Sequence, residues 1–262
     1  MRVLYVAEIV GKAGVFTFKK ALPSLIKEYG IDFVIANADG ATGAKGLGKQ
    51  HAAYLRKLGA NVITLGDFCF SKKDLTAEID HIPYVLRPLN LSGETPGRGQ
   101  FVYKCGNQKV AVVVLLGQSG FVRFHSENPI APLQDILARL REQTPFVIVD
   151  YHACATAEKQ TLFYTADGLC SAVIGSHTRV QTADERILEH GTAVITDAGR
   201  TGSALSVGGC EVQSCVSEFL CGIPQWKKES WDGLEIQGVV LDLDSNGNAA
   251  SITRVKKQIA DK

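Results

Sequence analysis

Short runs of β-branched and other apolar residues recur along this chain at the spacing expected for alternating strands and helices. The predicted strands are Val3–Val10, Phe33–Ala36, Asn61–Leu65, Tyr84–Leu86, Val110–Leu116, Phe146–Val149, Ala172–Ile174 and Ala193–Thr196. Because these runs are nearly continuous in apolar residues, both faces of each strand should be buried. The sequence therefore predicts an α/β protein whose sheets are covered by helices.

The segments between these runs carry apolar residues at helical spacing. The predicted helices are Phe16–Tyr29, Lys49–Leu58, Leu133–Arg141 and, later in the chain, Cys210–Cys221. Gly30 and Gly59 are suitable C-terminal stops for the first two helices. Two terminal strands are predicted over Gln237–Asp242 and Ser251–Val255. No internal repeat or long linker interrupts the chain, which predicts one domain over residues 1–262.

Polar side chains follow almost every predicted strand at its carboxyl end. They are Glu8, Asp39, Asp67, Asp150, His152, His177 and Asp197. In open α/β sheets ligands bind outside these strand ends, so residues distant in sequence can converge there. Carboxylate oxygen and imidazole nitrogen together suit zinc, manganese or iron. Any single acid could instead cap the following helix, but as a set these residues favour a metal site.

The charge of the chain argues against some classes of binding partner, and its cysteines indicate a cellular compartment. The chain has 28 basic and 27 acidic side chains, a net charge of +1, which offers no surplus for nucleic acid or an anionic membrane surface. Its seven cysteines include no C-x-x-C pair, and no signal sequence is recognisable, which predicts the cytoplasm. The longest apolar stretches, such as Val110–Leu116, are far shorter than the ~20 residues of a membrane span.

Several motifs resemble one known family in order and in position. They are MRVLYVAEIVGKAG, DFVIANADGATGAKG, ANVITLGDFCFSKKD, LRPLN with TPGRG, DYHACATAEK, GSHTRVQTADERIL and TDAGRTG. From Met1 to about Asp242 the chain resembles the YmdB-like branch of the calcineurin-like metallophosphoesterases. The resemblance implies a four-layer α/β/β/α sandwich, phosphodiester hydrolysis with cyclic nucleotides among the substrates, and homo-oligomers. It also implies two metal ions that activate a hydroxide and stabilise the developing charge.

The resemblance assigns ligands to positions of this sequence, and several positions depart from the family pattern. Glu8 stands where the family has Asp, and Asp39 where it has Glu, so each carboxylate moves by about one carbon–carbon bond, or 1.5 Å. Asp67 replaces an Asn and remains an oxygen donor. His152 and His177 match the family pattern.

Four further departures remove or change chemical groups. Gly40 replaces an Asn and offers no side chain. Phe68 stands where the family has a histidine proposed to protonate the leaving group, a function worth about 10²–10⁴-fold. Arg179 replaces the last histidine and, being permanently protonated, cannot ligate a cation. Cys154 replaces a Glu and could be either a thiolate ligand or a small buried cysteine.

Sorting these residues by metal position predicts one intact position and one lost position. Asp39, Asp67, His152 and His177 would hold one divalent transition metal (Mn, Fe or Zn), with Glu8 as a weaker ligand. Arg179 would occupy the neighbourhood of the lost ion and bind a phosphate oxygen.

Two functions remain open at this stage. The first is a one-metal phosphodiesterase of weak or altered activity that acts on a small phosphodiester or nucleotide. The second is a catalytically inactive pseudoenzyme that binds phosphate, a nucleotide or a protein partner in a regulatory role.

Overall fold

The computed structural model describes residues 1–121 and 125–259. In chain order its strands are β1 (Arg2–Val6), β2 (Glu8–Ile9), β3 (Phe33–Asn37), β4 (Val62–Thr64), β5 (Val85–Leu86), β6 (Gln100–Cys105), β7 (Gln108–Leu116), β8 (Val147–His152), β9 (Ala172–Ser176), β10 (Arg186–Ile187), β11 (Ala193–Ile195), β12 (Arg200–Ser203), β13 (Leu234–Leu243) and β14 (Ala249–Gln258). The α-helices are α1 (Gly11–Tyr29), α2 (Lys49–Leu58), α3 (Lys73–Thr76), α4 (Leu133–Arg141), α5 (Thr156–Ala166) and α6 (Val212–Cys221). A short 3₁₀ helix covers Ile79–His81.

The strands of the described ranges form two sheets. The first has eight strands in the order β2-β12-β13-β1-β3-β4-β5, and β14 also pairs with β13. The second has six strands in the order β10-β11-β9-β8-β7-β6. Strands β1, β3, β4 and β5 are parallel, as are β7, β8, β9 and β11. The carboxyl ends of β3 and β4 therefore share one edge of the first sheet, and those of β8 and β9 share one edge of the second.

Buried apolar residues form three separate clusters. One cluster joins α1 and α2 to the first sheet, through residues such as Phe18 and Val34. A second joins the two sheets, through residues such as Tyr5 and Ile148. The third joins α4 and α5 to the second sheet, through residues such as Leu137. Strands β3, β8 and β9 are buried along their whole length, as their continuous apolar runs predicted.

The start of the chain differs from the prediction of one strand over Val3–Val10. β1 ends at Val6, and the following residues pair with β12 as β2 instead of continuing beside β3. Helix α1 begins at Gly11, five residues before the predicted start at Phe16. The reason is close packing: a Cβ on Gly14 would lie 2.5 Å from the carbonyl oxygen of Thr201. Small residues permit this approach, and they carry no apolar periodicity that would mark a helix.

Other boundaries shift by a few residues. The predicted helix Cys210–Cys221 begins at Val212, and the predicted terminal strands Gln237–Asp242 and Ser251–Val255 extend to Leu234–Leu243 and Ala249–Gln258. Helix α5 and strands β6, β10 and β12 were not predicted. Within the described ranges, no helix combines the length and apolar character that a membrane span requires.

Candidate metal centre

Three donor atoms from separate segments meet at the carboxyl ends of the two sheets. Asp67 follows β4 of the first sheet, His152 is the last residue of β8, and His177 follows β9 of the second sheet. His152 Nε2 lies 3.0 Å from Asp67 Oδ1 and 3.0 Å from His177 Nδ1, and the Asp67–His177 distance is 3.6 Å. In the described part of the chain this is the group of acid, histidine and cysteine side chains arranged closely enough to share one metal ion.

A chain of hydrogen bonds fixes the His152 ring. His152 Nδ1 lies 3.0 Å from Ser176 Oγ, which in turn donates to Asp150 Oδ1 at 2.8 Å. Ser176 therefore accepts the Nδ1 proton, which leaves Nε2 as the ring nitrogen that faces Asp67 and His177. Metal-binding histidines characteristically hold their other ring N–H in this way.

The spacing of these donors suits a transition metal. Donor atoms around a four-coordinate zinc ion with bonds of 2.0–2.1 Å lie about 3.3 Å apart. The three observed separations of 3.0, 3.0 and 3.6 Å bracket that value. Two imidazole nitrogens and one carboxylate oxygen also form a mixed donor set typical of zinc, manganese or iron sites. The residues present therefore fit a divalent transition metal.

The electrostatics of this group depend strongly on burial. Burial alone would lower the pKa of His152, but the Asp67 hydrogen bond and the charges of Asp39 and Glu8 raise it to about 9. Burial opposes ionisation of Asp67, yet its hydrogen bonds to His152 and His177 lower the pKa of this carboxyl well below its usual range. Without a bound cation, a protonated His152 thus neutralises the neighbouring carboxylates.

Asp39 lies beside this group but outside its closest triangle. It is fully buried, and its Oδ2 is 3.8 Å from His152 Nε2. The backbone N–H of Gly66 donates to Asp39 Oδ1 at 2.7 Å, and that of Phe68 is shared between Oδ1 at 3.2 Å and Oδ2 at 3.1 Å. Burial raises the pKa of Asp39 to about 7. Asp39 therefore holds the loop that carries Asp67, and one of its oxygens faces the donor group.

On the other side of the site, Arg179 forms an ion pair with Glu8. Arg179 Nε and Nη2 donate to Glu8 Oε1 at 2.9 and 2.6 Å. Nη1 donates to the carbonyl oxygen of Gly208, and Nη2 also donates to that of Ala44. Four of the five guanidinium N–H groups are thus engaged. Burial would lower the pKa of Arg179, but Glu8 raises it overall, so the charge is retained.

Gly40 makes room for this ion pair. A Cβ at this position would lie 2.8 Å from Glu8 Oε1 and 3.0 Å from Arg179 Nη2. A larger residue would therefore push against both members of the pair. One structural unit is therefore formed by Glu8, Gly40 and Arg179.

A cavity of about 280 Å³ lies between the donor group and the ion pair. Its lining includes Asp67 and His177 on one side and Glu8 and Arg179 on the other, with Lys45 and Phe68 at its wall. Ala44, His177 and Arg179 have positive φ values, of 59°, 103° and 60°, and they are the non-glycine residues with positive φ in the described ranges. All three line this cavity. Strained backbone of this kind is typical of functional sites.

The sequence between residues 4 and 255 matches the family model described as YmdB-like protein. The chain belongs to the YmdB-like family. A Bacillus subtilis (strain 168) protein named 2′,3′-cyclic-nucleotide 2′-phosphodiesterase is 34% identical over 250 residues, which cover 95% of this chain and 94% of the relative. A crystal structure of a protein from Thermus thermophilus has a TM-score of 0.91 at 31% identity and covers 98% of this chain and 99% of its own. A crystal structure of a phosphatase from Mycoplasma pneumoniae has a TM-score of 0.91 at 31% identity, with coverage of 98% and 93%.

Membership of the YmdB-like family confirms the resemblance seen in the motifs. The structure also shows where two positions that depart from the family pattern lie. Phe68 lines the cavity at the position of the expected histidine, and its ring lies 6.0 Å from Lys45 Nζ. A phenyl ring cannot supply a proton. Cys154 lies outside the donor group, and burial raises its pKa. The thiol form is therefore favoured, although Cys154 is half-buried and not the fully buried cysteine of the second alternative.

Two strand-end acids support the YmdB-like site from outside it. Asp150 accepts hydrogen bonds from Tyr5 and Asn37 of the first sheet at 2.8 and 3.2 Å, in addition to its bond from Ser176. Asp197 pairs with the fully buried Lys159 at 3.0 Å. The strand-end pattern identified both acids but not their partners. A single sequence carries no signal for these partners: α5, which carries Lys159, was not predicted, and a lysine is usually an exposed residue.

Proposed function

We propose that this YmdB-like protein is a metal-dependent phosphodiesterase that hydrolyses cyclic nucleotides or other small phosphodiesters. The observation that supports this most is the close triangle of Asp67, His152 and His177 on a cavity that also holds a buried cation, Arg179. The names of the relatives, a cyclic-nucleotide phosphodiesterase and a phosphatase, agree with it. Small phosphodiester or nucleotide ligands are the proposed partners.

In this proposal Asp67, His152 and His177 would hold one divalent transition metal, and Asp39 Oδ2 lies beside these donors, 3.8 Å from His152 Nε2. When bound, the metal supplies Lewis acidity toward a phosphoryl oxygen and lowers the pKa of water. Asp39 keeps the loop of Asp67 in position through its bonds to Gly66 and Phe68. Ser176 keeps the proton of His152 on the ring nitrogen that faces away from the donors.

We propose that the second metal position of the family is lost. Glu8, which the sequence predicted as a weaker metal ligand, directs Oε1 at the Arg179 guanidinium, so one side chain supplies a positive charge in place of an ion. Because four of its five N–H groups are engaged, Arg179 offers a phosphate a single free N–H instead of a bidentate contact. Its main contribution is to neutralise Glu8 beside the substrate.

The leaving group obtains no proton from the side chain at position 68. Water must supply this proton, and losing a positioned general acid typically lowers a rate by about 10²–10⁴-fold. We therefore expect slow hydrolysis, fastest for phosphodiesters whose leaving group needs no protonation.

Metal analysis and hydrolysis of bis(4-nitrophenyl) phosphate with added Mn²⁺ test the proposal. Protein purified without chelator should contain close to one transition metal ion per chain, and His177→Ala should lose both the metal and the hydrolysis. His190→Ala is the matched control, because His190 is exposed and pairs with Asp167 at 2.9 Å. A metal-free protein, or activity that persists in His177→Ala, would overturn the proposal.

The second candidate function is a pseudoenzyme that binds a nucleotide, phosphate or protein partner in a regulatory role. The engaged guanidinium of Arg179 and the phenyl ring at position 68 favour it. Metal binding without hydrolysis of any phosphodiester would support this candidate over the first.

We also propose a four-layer α/β/β/α sandwich that forms one domain over residues 1–262. The three buried clusters, helix–sheet, sheet–sheet and sheet–helix, support it. Homo-oligomers and a cytoplasmic location remain predictions. The exposed Phe219 and Leu220 of α6 are consistent with a contact between copies.

A further inference from the structure

A second cavity of about 370 Å³ opens beside the metal centre. It shares Ala44 and Lys45 with the first cavity, so the two are adjacent. Its volume lies within the range of about 300–1,000 Å³ that is usual for small-molecule sites. A substrate whose phosphorus atom lies in the first cavity would therefore extend into the second.

Basic side chains dominate the charge of this cavity. Its lining includes Lys45, Lys72 and Lys227, against one carboxylate, Glu218. Glu218 pairs with Lys227 at 3.2 Å. Lys45 and Lys72 take part in no ion pair with any residue in the described ranges. Two ammonium groups are therefore available to an anionic ligand.

Trp226 supplies an aromatic surface to the same cavity. Its side chain is 93% exposed, so neither face of the indole is used in the core. The adjacent Gln225 fixes the segment to α6: its N–H donates to Glu218 Oε2 at 3.2 Å, and its Nε2 donates to Ser217 Oγ at 3.0 Å. Helix α6 itself ends at Cys221 and is capped by Gly222, whose φ is 68° and whose N–H donates to the carbonyl oxygen of Glu218. These bonds hold the backbone next to Trp226 against α6, and the indole lines the same cavity as the lysines.

We propose that the second cavity binds the nucleoside part of the substrate, with its base stacked on Trp226 and with Lys45 at the phosphodiester. An aromatic face next to basic side chains is the combination that recognises nucleotide bases and phosphates together. This proposal rests on the proposed phosphodiesterase function and specifies which side chains would contact the nucleoside part of the substrate.

Lys45 is better suited than Arg179 to contact the phosphate. Arg179 has four N–H groups engaged by Glu8, Gly208 and Ala44. Lys45 lines both cavities and forms no ion pair within 4.0 Å among the described residues, and Glu218 acts on its charge only at longer range. It can therefore donate to a phosphodiester oxygen at the junction without breaking an existing ion pair.

Tryptophan fluorescence tests the stacking directly, because the chain has two tryptophans. In Trp231→Phe only Trp226 emits, and adenosine 2′,3′-cyclic phosphate should quench that emission saturably. Dimethyl phosphate, a phosphodiester without a base, should not. In Trp226→Phe the remaining Trp231, which packs 5.9 Å from Phe16, should not respond to the nucleotide. Unchanged Trp226 emission at saturating nucleotide, or a response from Trp231, would overturn the proposal.

Equilibrium dialysis then measures how much each side chain contributes to the affinity for the nucleotide and for dimethyl phosphate. Loss of one base-stacking contact typically weakens binding by about 5- to 150-fold, which is the expectation for Trp226→Ala. Lys45→Ala should weaken binding of both the nucleotide and dimethyl phosphate, whereas Trp226→Ala should weaken only the nucleotide. Equal nucleotide affinity in Trp226→Ala and the parent protein would contradict the proposal.

The two proposals fail in distinguishable ways. Quenching requires no turnover, so a protein that stacks the nucleotide on Trp226 but hydrolyses no phosphodiester would refute the enzyme and retain this site. A protein that hydrolyses bis(4-nitrophenyl) phosphate without any response at Trp226 would support the enzyme and refute the nucleoside site.

Discussion

At the scale of single residues, Gly66 leaves the space that the His152 ring occupies beside Asp67 and His177. A Cβ at position 66 would lie 2.3 Å from His152 Nε2, the atom that faces the other donors. We predict that Gly66→Ala displaces the imidazole and weakens Mn²⁺ binding by at least about 10-fold, measured by calorimetry. Gly93→Ala is the control, because a Cβ there would meet no atom within 4 Å. Equal metal affinity of the two variants would contradict the assignment of His152.

The proton on His152 predicts how metal binding depends on pH. In the absence of a cation, the neighbouring carboxylates raise the pKa of His152 to about 9. A metal that binds this ring must displace its proton, so the apparent affinity should rise by about 10-fold per pH unit up to pH 9 and then level off. Calorimetry in buffers of different ionisation enthalpy should also detect about one proton released per ion. An affinity independent of pH between 7 and 8.5 would show that His152 is already neutral.

The departures from the family pattern could be identified from the sequence one at a time, but their relation could not. The resemblance identified Glu8, Gly40 and Arg179 as three separate changes. In the structure they form one unit, because the guanidinium reaches Glu8 and the missing Cβ of Gly40 leaves room for both. Such a relation depends on distances between three loops, which a single sequence does not contain. Trp226 and Lys45 were missed for the same reason.

At the scale of elements, α5 supports the loop of His177 through a buried ion pair. Lys159 of α5 lies 3.0 Å from Asp197, and the same Asp197 oxygen accepts the backbone N–H of Thr178 at 2.9 Å. Thr178 directly follows His177, whose φ of 103° needs support from its surroundings. The ion pair therefore supports the backbone next to His177, one of the proposed metal ligands.

We predict that Lys159→Met lowers the free energy of unfolding by about 3–5 kcal/mol, because Asp197 is left as an unpaired buried charge. The control is Lys257→Met, which removes an exposed ion pair with Glu28 and should cost less than about 1 kcal/mol. Denaturation with urea measures both. Metal affinity should fall in Lys159→Met and remain unchanged in the control. Equal destabilisation by the two substitutions would argue against the support described for the His177 loop.

At this scale, a helix or strand could be predicted where its apolar pattern stands out from the residues on either side. Strands β3, β8 and β9 are continuous apolar runs and were located to within a few residues. Strand β6 is an edge strand of half-exposed residues, and β10 and β12 are short, so none of the three has such a run. Helix α5 was missed because its apolar residues do not concentrate on one face and because it buries Lys159.

At the scale of the whole molecule, the sequence did not show which strands share a sheet. Apolar strands buried on both faces have similar composition, so only their pairing partners distinguish them. In the structure β1 pairs with β13 from the far end of the chain, and the two sheets meet across a common cluster. Asp150 of the second sheet bonds Tyr5 and Asn37 of the first beneath the metal centre. The site is therefore built across the interface between the sheets.

This arrangement predicts that one metal ion stabilises both sheets together. Asp67 belongs to the first sheet, while His152 and His177 belong to the second, so separating the sheets must release the metal. At a free Mn²⁺ concentration of 100 Kd, amides that exchange only by global unfolding should be protected about 100-fold more. Hydrogen exchange should show this gain equally in Phe33–Asn37 and in Val147–His152, and His177→Ala should abolish it in both. Protection confined to the second sheet would mean that the sheets separate without losing the metal, and that Asp67 contributes little to holding it.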